Sequence, residues 1–188
     1  MKSVSAQSAL TQLKSGNKRF ASDKPTHERQ DGGRRAELGG GQQPFAIILS
    51  CADSRVIPEL VFDTGLGELF VVRVAGNVAN TSSIASIEYA VAHLGTKLIV
   101  VLGHESCGAV TAAIDSSDNG YNLNHLLAHI LPAVNKTTGK KTVERVVKTN
   151  AKMTAKELEA RSPIIAKAKG LKIVPAYYEL VTGKVKFL

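Results

Sequence analysis

Short apolar runs stand out in the hydrophobic pattern of the chain, and they predict β-strands. Three of them cover Phe45–Ser50, Leu69–Ala75 and Lys97–Gly103, and each is nearly continuous in Val, Ile, Leu and Phe. Runs of this kind are typical of strands that are buried on both faces of a parallel sheet. A last strand is predicted at Lys172–Tyr178, with a short tail at Lys184–Leu188.

The segments between these runs repeat their apolar residues at helical intervals. Ser82–Leu94 lies between the second and third strands, so the three elements predict a βαβ unit. Further helices are predicted at Ser106–Ile114, Leu123–Val134 and Lys141–Arg161. The chain is therefore expected to form one α/β domain over residues 1–188, in which helices flank a mostly parallel central sheet.

The first part of the chain has a different character. Ser3–Phe20 spaces its apolar residues for an amphipathic helix, and we expect this helix, within residues 1–22, to pack on a partner subunit. Asp23–Pro44 is rich in Gly and predicts a loop or a loosely wound connection. Residues 45–188 then form the predicted α/β core.

Composition narrows the possible environments. The chain has 188 residues and is 44% hydrophobic, which is enough for one substantial core. No apolar run approaches the roughly 20 residues that cross a bilayer, so no membrane association is expected. The N-terminus also lacks the apolar stretch of a secretory signal, so a cytoplasmic location is expected unless a leader has been removed.

The net charge of +8 raises the question of a nucleic-acid partner. Many of the lysines lie between Lys136 and Lys172, where glutamates alternate with them at helical intervals and aromatic residues are scarce. This pattern favours a solvated helical face, and no nucleic-acid partner is expected. The glycine spacing of a dinucleotide-binding loop is also absent, so no nucleotide cofactor is expected.

The two cysteines are too few for a disulfide framework, and both lie in small polar motifs. Cys51 follows the first strand, whereas His104 and Cys107 follow the third. If these strands are neighbours, all three side chains meet at the carboxyl edge of the sheet, where ligands collect in α/β folds. Cys107 is also predicted in the first turn of a helix, where the helix dipole favours a thiolate.

Two thiolates and one imidazole are a donor set that suits zinc, and three protein ligands leave the fourth position open, as in catalytic zinc sites. A single buried Cys is usually only a small hydrophobic residue, and a single His after a strand is usually structural. The occurrence of Cys-x-Asp-x-Arg and His-x-x-Cys at two strand ends instead favours a metal site.

These motifs resemble those of the β-class carbonic anhydrases. The resemblance is carried by four segments, Cys51–Arg55, Arg73–Asn77, Ser86–Tyr89 and Gly103–Gly108. It extends less distinctly from the N-terminal helix to Thr182-Gly183, so most of the chain is covered. The paired cysteine and histidine motifs, in this order, are highly specific to that family.

The resemblance implies a metal site with one Zn²⁺ per subunit, held by Cys51, His104 and Cys107. It also implies that Asp53 and Arg55 form a pair. In the active form Arg55 would hold Asp53 away from the metal, and Asp53 would accept a hydrogen bond from the zinc-bound water or hydroxide. In the closed form of some family members, the aspartate fills the fourth zinc position.

A further site residue is suggested by Gly41-Gln42-Gln43-Pro44, which matches a segment of plant-type members. There the glutamine amide donates to a substrate oxygen, so Gln42 is the candidate; the alternative is a loop glutamine in solvent. The chain contains no Trp, whereas the bicarbonate-inhibited subgroup carries one shortly before the first zinc-binding Cys. That departure argues against an allosteric bicarbonate site here.

The implied reaction is reversible hydration of carbon dioxide to bicarbonate and a proton, by attack of zinc-bound hydroxide. Because two thiolates cancel the charge of the ion, the bound water should be less acidic than the value of about 7 known for three-histidine sites. Activity should therefore rise into the alkaline range. The resemblance also implies a homodimer or a dimer of dimers, with a small apolar substrate pocket lined partly by a second subunit.

Other interpretations remain open at this point. An enzyme of the same fold could act on carbon disulfide or carbonyl sulfide, and a zinc-stabilised binding protein could be permanently closed by Asp53. His125 and His129 are spaced to chelate a metal or to shuttle protons, although Leu126, Leu127 and Ile130 favour a packing helix. His27 and His93 have no partner that the sequence indicates.

Overall fold

The computed structural model describes residues 4–188, so Ser3, at the predicted start of the first helix, lies outside the described residues. Within them, five strands form one sheet in the spatial order β2-β1-β3-β4-β5. The first four strands are parallel, and β5 runs antiparallel to β4. The predicted α/β architecture is confirmed. The strands are β1 (Ala46–Ser50), β2 (Leu69–Arg73), β3 (Leu98–His104), β4 (Lys172–Tyr178) and β5 (Val185–Phe187).

Nine α-helices and one short 3₁₀ turn, Ala75–Asn77, connect the strands across residues 4–188. No helix in this range is both long and apolar enough to cross a membrane. The helices are α1 (Ala6–Phe20), α2 (Gly32–Leu38), α3 (Pro58–Val61), α4 (Thr81–His93), α5 (Gly108–Asp115), α6 (Tyr121–Ala128), α7 (Leu131–Lys136), α8 (Val143–Arg161) and α9 (Pro163–Lys167).

The continuous apolar runs form central strands because both faces of the sheet are covered. Alternate side chains of a strand point to opposite faces. In β1, Ala46 and Ile48 pack with α1, whereas Ile47 and Leu49 pack in a second core with Ile87 of α4 and with residues of α8. Every residue of β1 and β3 is buried, which explains why neither strand shows the polar alternation of a half-exposed strand.

Helix α1 packs on the sheet of its own chain. The Ser5 side chain caps it by accepting from the backbone N–H of Ser8, and Ala9 and Leu13 are completely buried. At Gly16 the helix lies so close to Phe62 that an added Cβ would be 1.8 Å from the Phe62 carbonyl oxygen. The predicted contact of this helix with a partner subunit stays a prediction.

Local structure differs from the sequence expectation in two connections. Residues 23–44 are predicted to be a loop or a loosely wound connection, whereas a regular helix, α2, forms over part of them because the Asp31 side chain accepts from the backbone N–H of Arg34 and caps it. The predicted helix Leu123–Val134 is divided into α6 and α7, with Ile130 as the residue before α7. Pro132 stands in the first turn of α7, where a proline is tolerated.

Candidate metal centre

The order of the strands brings the two cysteine-containing motifs together. β1 pairs directly with β3, with Ser50 opposite Leu102, as the sequence argument required. Cys51 is the first residue after β1, and His104 is the last residue of β3. Both therefore lie at the carboxyl edge of the sheet.

Cys51, His104 and Cys107 form one compact cluster. Their ligand atoms all lie within 4.8 Å of one another. The three residues are 4%, 0% and 1% exposed, so water has little access to the sulfur and nitrogen atoms. Donors this close together can share a single ion.

The imidazole of His104 is oriented for metal binding. Its Nδ1 lies 2.8 Å from the backbone carbonyl of Glu105, so Nδ1 carries the hydrogen and Nε2 presents its lone pair. Nε2 is buried and has no hydrogen-bond partner within residues 4–188. In that range, Asn77 Nδ2 is the one other buried side-chain nitrogen or oxygen atom without a partner. A buried imidazole nitrogen without a partner is costly, and a metal ion at the cluster would satisfy it.

The two thiols also fit a cation. A hydrogen bond between them lowers the pKa of Cys51 and raises that of Cys107, because the sulfurs share a proton and a second negative charge would be repelled. The backbone N–H of Gly76 also donates to Cys51 Sγ, at 3.3 Å. A divalent cation removes the repulsion between two thiolates, so this pair is suited to hold one.

The sequence analysis predicted Cys107 in the first turn of a helix, and this prediction is wrong by one residue. Its backbone is extended, with φ −67° and ψ 115°, and α5 begins one residue later. The preceding Ser106 has a left-handed backbone, with φ 53°, and this turn separates Cys107 from the end of β3. Cys107 is therefore the N-cap, which still lies at the positive end of the helix dipole.

Asp53 and Arg55 form the ion pair that the resemblance implied, and the pair is bidentate. Arg55 Nε donates to Asp53 Oδ1 at 2.9 Å, and Arg55 Nη2 donates to Asp53 Oδ2 at 2.7 Å. These hydrogen bonds hold the pKa of Asp53 well below its usual range, so the carboxylate is ionised. Asp53 Oδ2 lies 3.8 Å from His104 Nε2, which places the carboxylate beside the cluster.

Comparison with known proteins identifies this arrangement. The family model described as carbonic anhydrase matches residues 46–185. Carbonic anhydrase 2 of Mycobacterium tuberculosis is 40% identical over 193 residues, which cover 98% of this chain and 93% of the relative. The chain belongs to the β-class carbonic anhydrase family.

Solved β-carbonic anhydrases show the same fold. One of two tetrameric enzymes from Sordaria macrospora superposes with a TM-score of 0.74 at 28% identity and covers 93% of each chain. An enzyme of Aspergillus fumigatus superposes with a TM-score of 0.77 at 26% identity, covering 97% of this chain and 89% of the other. The chain is thus a carbonic anhydrase by family, and carbon dioxide hydration is the known reaction of that family.

Arg73 is a residue of this carbonic anhydrase site to which the sequence analysis assigned no role. Its Nε donates to the carbonyl of Cys51 at 3.1 Å, and its Nη2 donates to the carbonyl of Asp53 at 2.7 Å. It therefore holds the backbone that carries the candidate metal ligand Cys51 and the carboxylate of Asp53. The available signal was its position at the end of β2, in the segment Arg73–Asn77 that resembles the family.

The structure does not bring Gln42 to the metal centre of its own chain. Gln42 is exposed and precedes β1, whereas Cys51 follows β1. The carbonyl of Pro44, two residues after Gln42, accepts a hydrogen bond from Thr96, just before β3, so this segment lies at the amino edge of the sheet. At a rise of about 3.3 Å per residue, β1 alone separates the two edges by about 13 Å.

The other histidines lie away from the cluster. His93 contacts Tyr89 with the ring planes tilted by 34° and the ring centroids 5.0 Å apart, and the backbone N–H of His27 donates to Asp63. His125 lies on α6 and His129 directly follows it, and their rings contact each other edge to face.

Proposed function

We propose that this carbonic anhydrase is a zinc enzyme that converts carbon dioxide and water to bicarbonate and a proton. The observation that carries the proposal is the buried cluster of Cys51, His104 and Cys107, in which His104 Nε2 has no protein partner within the described range. These three donors are the residues that would hold the ion. When bound, zinc would supply a Lewis acid that activates water as a nucleophile, more fully as the pH rises.

The ionised Asp53 supports this proposal because it lies beside the cluster and can only accept hydrogen bonds. Its Oδ2 would accept a hydrogen bond from the attacking water or hydroxide and so orient the nucleophile. The role of Arg55 is to hold the carboxylate in this position through two charge-assisted hydrogen bonds. The pairing corresponds to the open arrangement of the family, in which the aspartate is kept away from the fourth ligand position.

The surroundings of the cluster suit an uncharged substrate. Val74, Val78 and Ala109 belong to the same apolar group of side chains as Cys51 and Cys107. An apolar wall favours binding of uncharged carbon dioxide, whereas charged bicarbonate is poorly solvated beside it. This would help the site bind the gas and release bicarbonate.

We further propose that Gln42 acts in the site of a second subunit. Its exposed amide lies at the amino edge of its own sheet, away from its own cluster. The Gln42 amide can therefore donate to a substrate oxygen only if two chains assemble so that the amino edge of one sheet meets the metal centre of the other chain. A homodimer, or a dimer of dimers, is accordingly part of the proposed function, and a cytoplasmic location stays a prediction.

The decisive experiment is stopped-flow measurement of carbon dioxide hydration across pH, with zinc content determined on the same sample. We expect about one zinc per chain and a rate that rises toward alkaline pH. Cys51→Ser should lose both the zinc and the activity, because one of three ligands is replaced by a poor donor.

Three outcomes would count against the proposal. Full zinc content without hydration at any pH would favour the zinc-stabilised binding protein. Hydration that survives loss of zinc in Cys51→Ser would remove the cluster from the mechanism. Turnover of carbonyl sulfide but not carbon dioxide, measured in parallel, would place the chain with the enzymes that act on the sulfur-containing analogues.

A further inference from the structure

A pair of imidazoles lies at the C-terminal end of α6, and neither belongs to the cluster of Cys51, His104 and Cys107. His125 and His129 are four residues apart, which places them on the same side of a helix. Their ring centroids are 5.7 Å apart, and the ring planes are nearly perpendicular, at 89°. His129 is the residue after α6, and its backbone is still helical, with φ −72° and ψ −21°, so the helical spacing holds for both.

The packing of α6 explains why these rings are available. The apolar residues Leu127 and Ile130 are buried, at 5% and 0% exposure, and they anchor this segment to the core. The prediction that this helix packs on the core is therefore confirmed, but the packed side of the helix is the one opposite the two histidines. His125 is exposed and His129 is half-buried. Neither ring makes a hydrogen bond or ion pair with another residue of the chain between positions 4 and 188.

The separation of the rings is compatible with one shared ion. For a metal–nitrogen distance of about 2.0 to 2.1 Å, each ring centroid stands about 3.2 Å from the ion, so two centroids can be at most about 6.4 Å apart. The observed 5.7 Å lies inside this limit. Because the rings lie at or near the surface, small side-chain rotations can turn one nitrogen of each toward a common point.

The local charges also favour a cation. The C-terminal end of a helix carries the negative end of its dipole, and both histidines lie in or just after the last turn of α6. The segment Tyr121–His129 contains no Lys or Arg, although the chain as a whole has a net charge of +8. An ion held there would not be repelled by a positive side chain of the same helix.

We propose that His125 and His129 form a second metal site, which binds a borderline divalent cation such as Zn²⁺, Ni²⁺ or Cu²⁺ at the surface. Imidazole nitrogens suit these ions, whereas Mg²⁺ and Ca²⁺ prefer oxygen donors and should not bind there. The site uses none of the donors of Cys51, His104 and Cys107, so it goes beyond the proposed function.

The test is calorimetric titration with Ni²⁺ of the full chain without a histidine tag, after its zinc content has been measured. We expect one Ni²⁺ per chain at this site, and a loss of affinity of at least tenfold in both His125→Ala and His129→Ala. His27→Ala and His93→Ala are the matched controls, and they should change the affinity less than twofold. Carbon dioxide hydration should be unchanged in all four variants, which also shows that they fold.

A Cys51→Ser protein separates this proposal from the proposed function. Nickel binding at the histidine pair should persist in that variant, whatever happens to zinc at the cluster. The proposal is overturned if the starting protein binds no Ni²⁺ beyond the cluster. It is equally overturned if either single histidine variant keeps its affinity within twofold, or if a control variant loses it.

Discussion

Asp63 offers a quantitative test of how the N-terminal part of the chain is held to the core. Its side chain is only 2% exposed, and it forms an ion pair with Arg19 of α1. The backbone N–H groups of Thr26 and His27 also donate to its carboxylate, at 3.0 and 3.2 Å. One carboxylate therefore joins α1, the start of the connection to α2, and the segment after α3. The substitution Asp63→Asn removes its charge while keeping its size.

The pKa of this group supplies the magnitude. Burial alone would raise the pKa of Asp63, but the hydrogen bonds from Arg19, Thr26 and His27 lower it from 3.8 to about 2. One pKa unit corresponds to 1.36 kcal/mol, so the shift amounts to about 2 kcal/mol of extra stabilisation of the charged carboxylate in the folded state. Because the Arg19 side chain is 39% exposed and solvent screens the pair, we expect a loss of about 1 to 2 kcal/mol in Asp63→Asn.

The sign of the pH dependence follows from the same shift. The pKa in the folded state lies below that in the unfolded state, so the unfolded chain binds the proton more readily. The stabilisation is therefore complete above about pH 5 and is lost as the pH falls through 3.8 toward 2. The difference in unfolding free energy between the original protein and Asp63→Asn should shrink over this window.

Urea unfolding followed by circular dichroism at several pH values measures this difference. Asp115→Asn is the matched control, because Asp115 is exposed at the end of α5 and no ion pair to it is found among residues 4–188. An Asp63→Asn protein as stable as Asp115→Asn at pH 7 would refute the reasoning. So would a difference that grows, rather than shrinks, as the pH falls.

Three further predictions concern the site. Arg55→Ala should lower carbon dioxide hydration at least tenfold with zinc content unchanged, because Asp53 loses the two charge-assisted hydrogen bonds that hold it beside the cluster; unchanged rates would contradict the role of the pair. Gly76→Ala should lower the melting temperature and the zinc content, because Gly76 has φ 68° and a Cβ there would lie 2.6 Å from Ile130; a variant of normal stability would argue against a tight contact. Mixed dimers of Gln42→Ala and Cys51→Ser chains should regain up to one working site per dimer, and no gain over the parent variants would show that Gln42 does not act across subunits.

The parts of the fold that could be predicted from the sequence are those set by local patterns. A run such as Phe45–Ser50 has no polar alternation, and this suits only a strand covered on both faces, which β1 proves to be. The cluster of Cys51, His104 and Cys107 could be predicted because its members lie at, or within three residues of, the ends of two strands. Once β1 and β3 are adjacent, Cys51 and His104 have to be close. The adjacency itself was an assumption, since it depends on the crossover of α4 rather than on any local pattern.

The features that could not be predicted depend on contacts between distant segments. α2 is rich in glycine, and its helix depends on the Asp31 cap and on Arg34, which donates to the carbonyl of Leu66. Arg73 acts through backbone carbonyls, and any residue supplies a carbonyl, so its partners leave no trace in the sequence. The extended backbone of Cys107 likewise follows from the turn at Ser106.

Gln42 and the candidate metal centre were predicted to belong to one site, but within one chain they are far apart. Gln42 and Cys51 are nine positions apart in the chain, yet they lie at opposite ends of β1. The two ends of a strand lie at opposite edges of the sheet. Because β1 stands between Gln42 and Cys51, the two residues are far apart in space although they are close in sequence. If both residues serve one reaction, the carboxyl edge of one chain has to meet the amino edge of another. The catalytic unit would then be at least two chains, and a folded monomer that binds zinc should hydrate carbon dioxide more slowly than the dimer at equal zinc content.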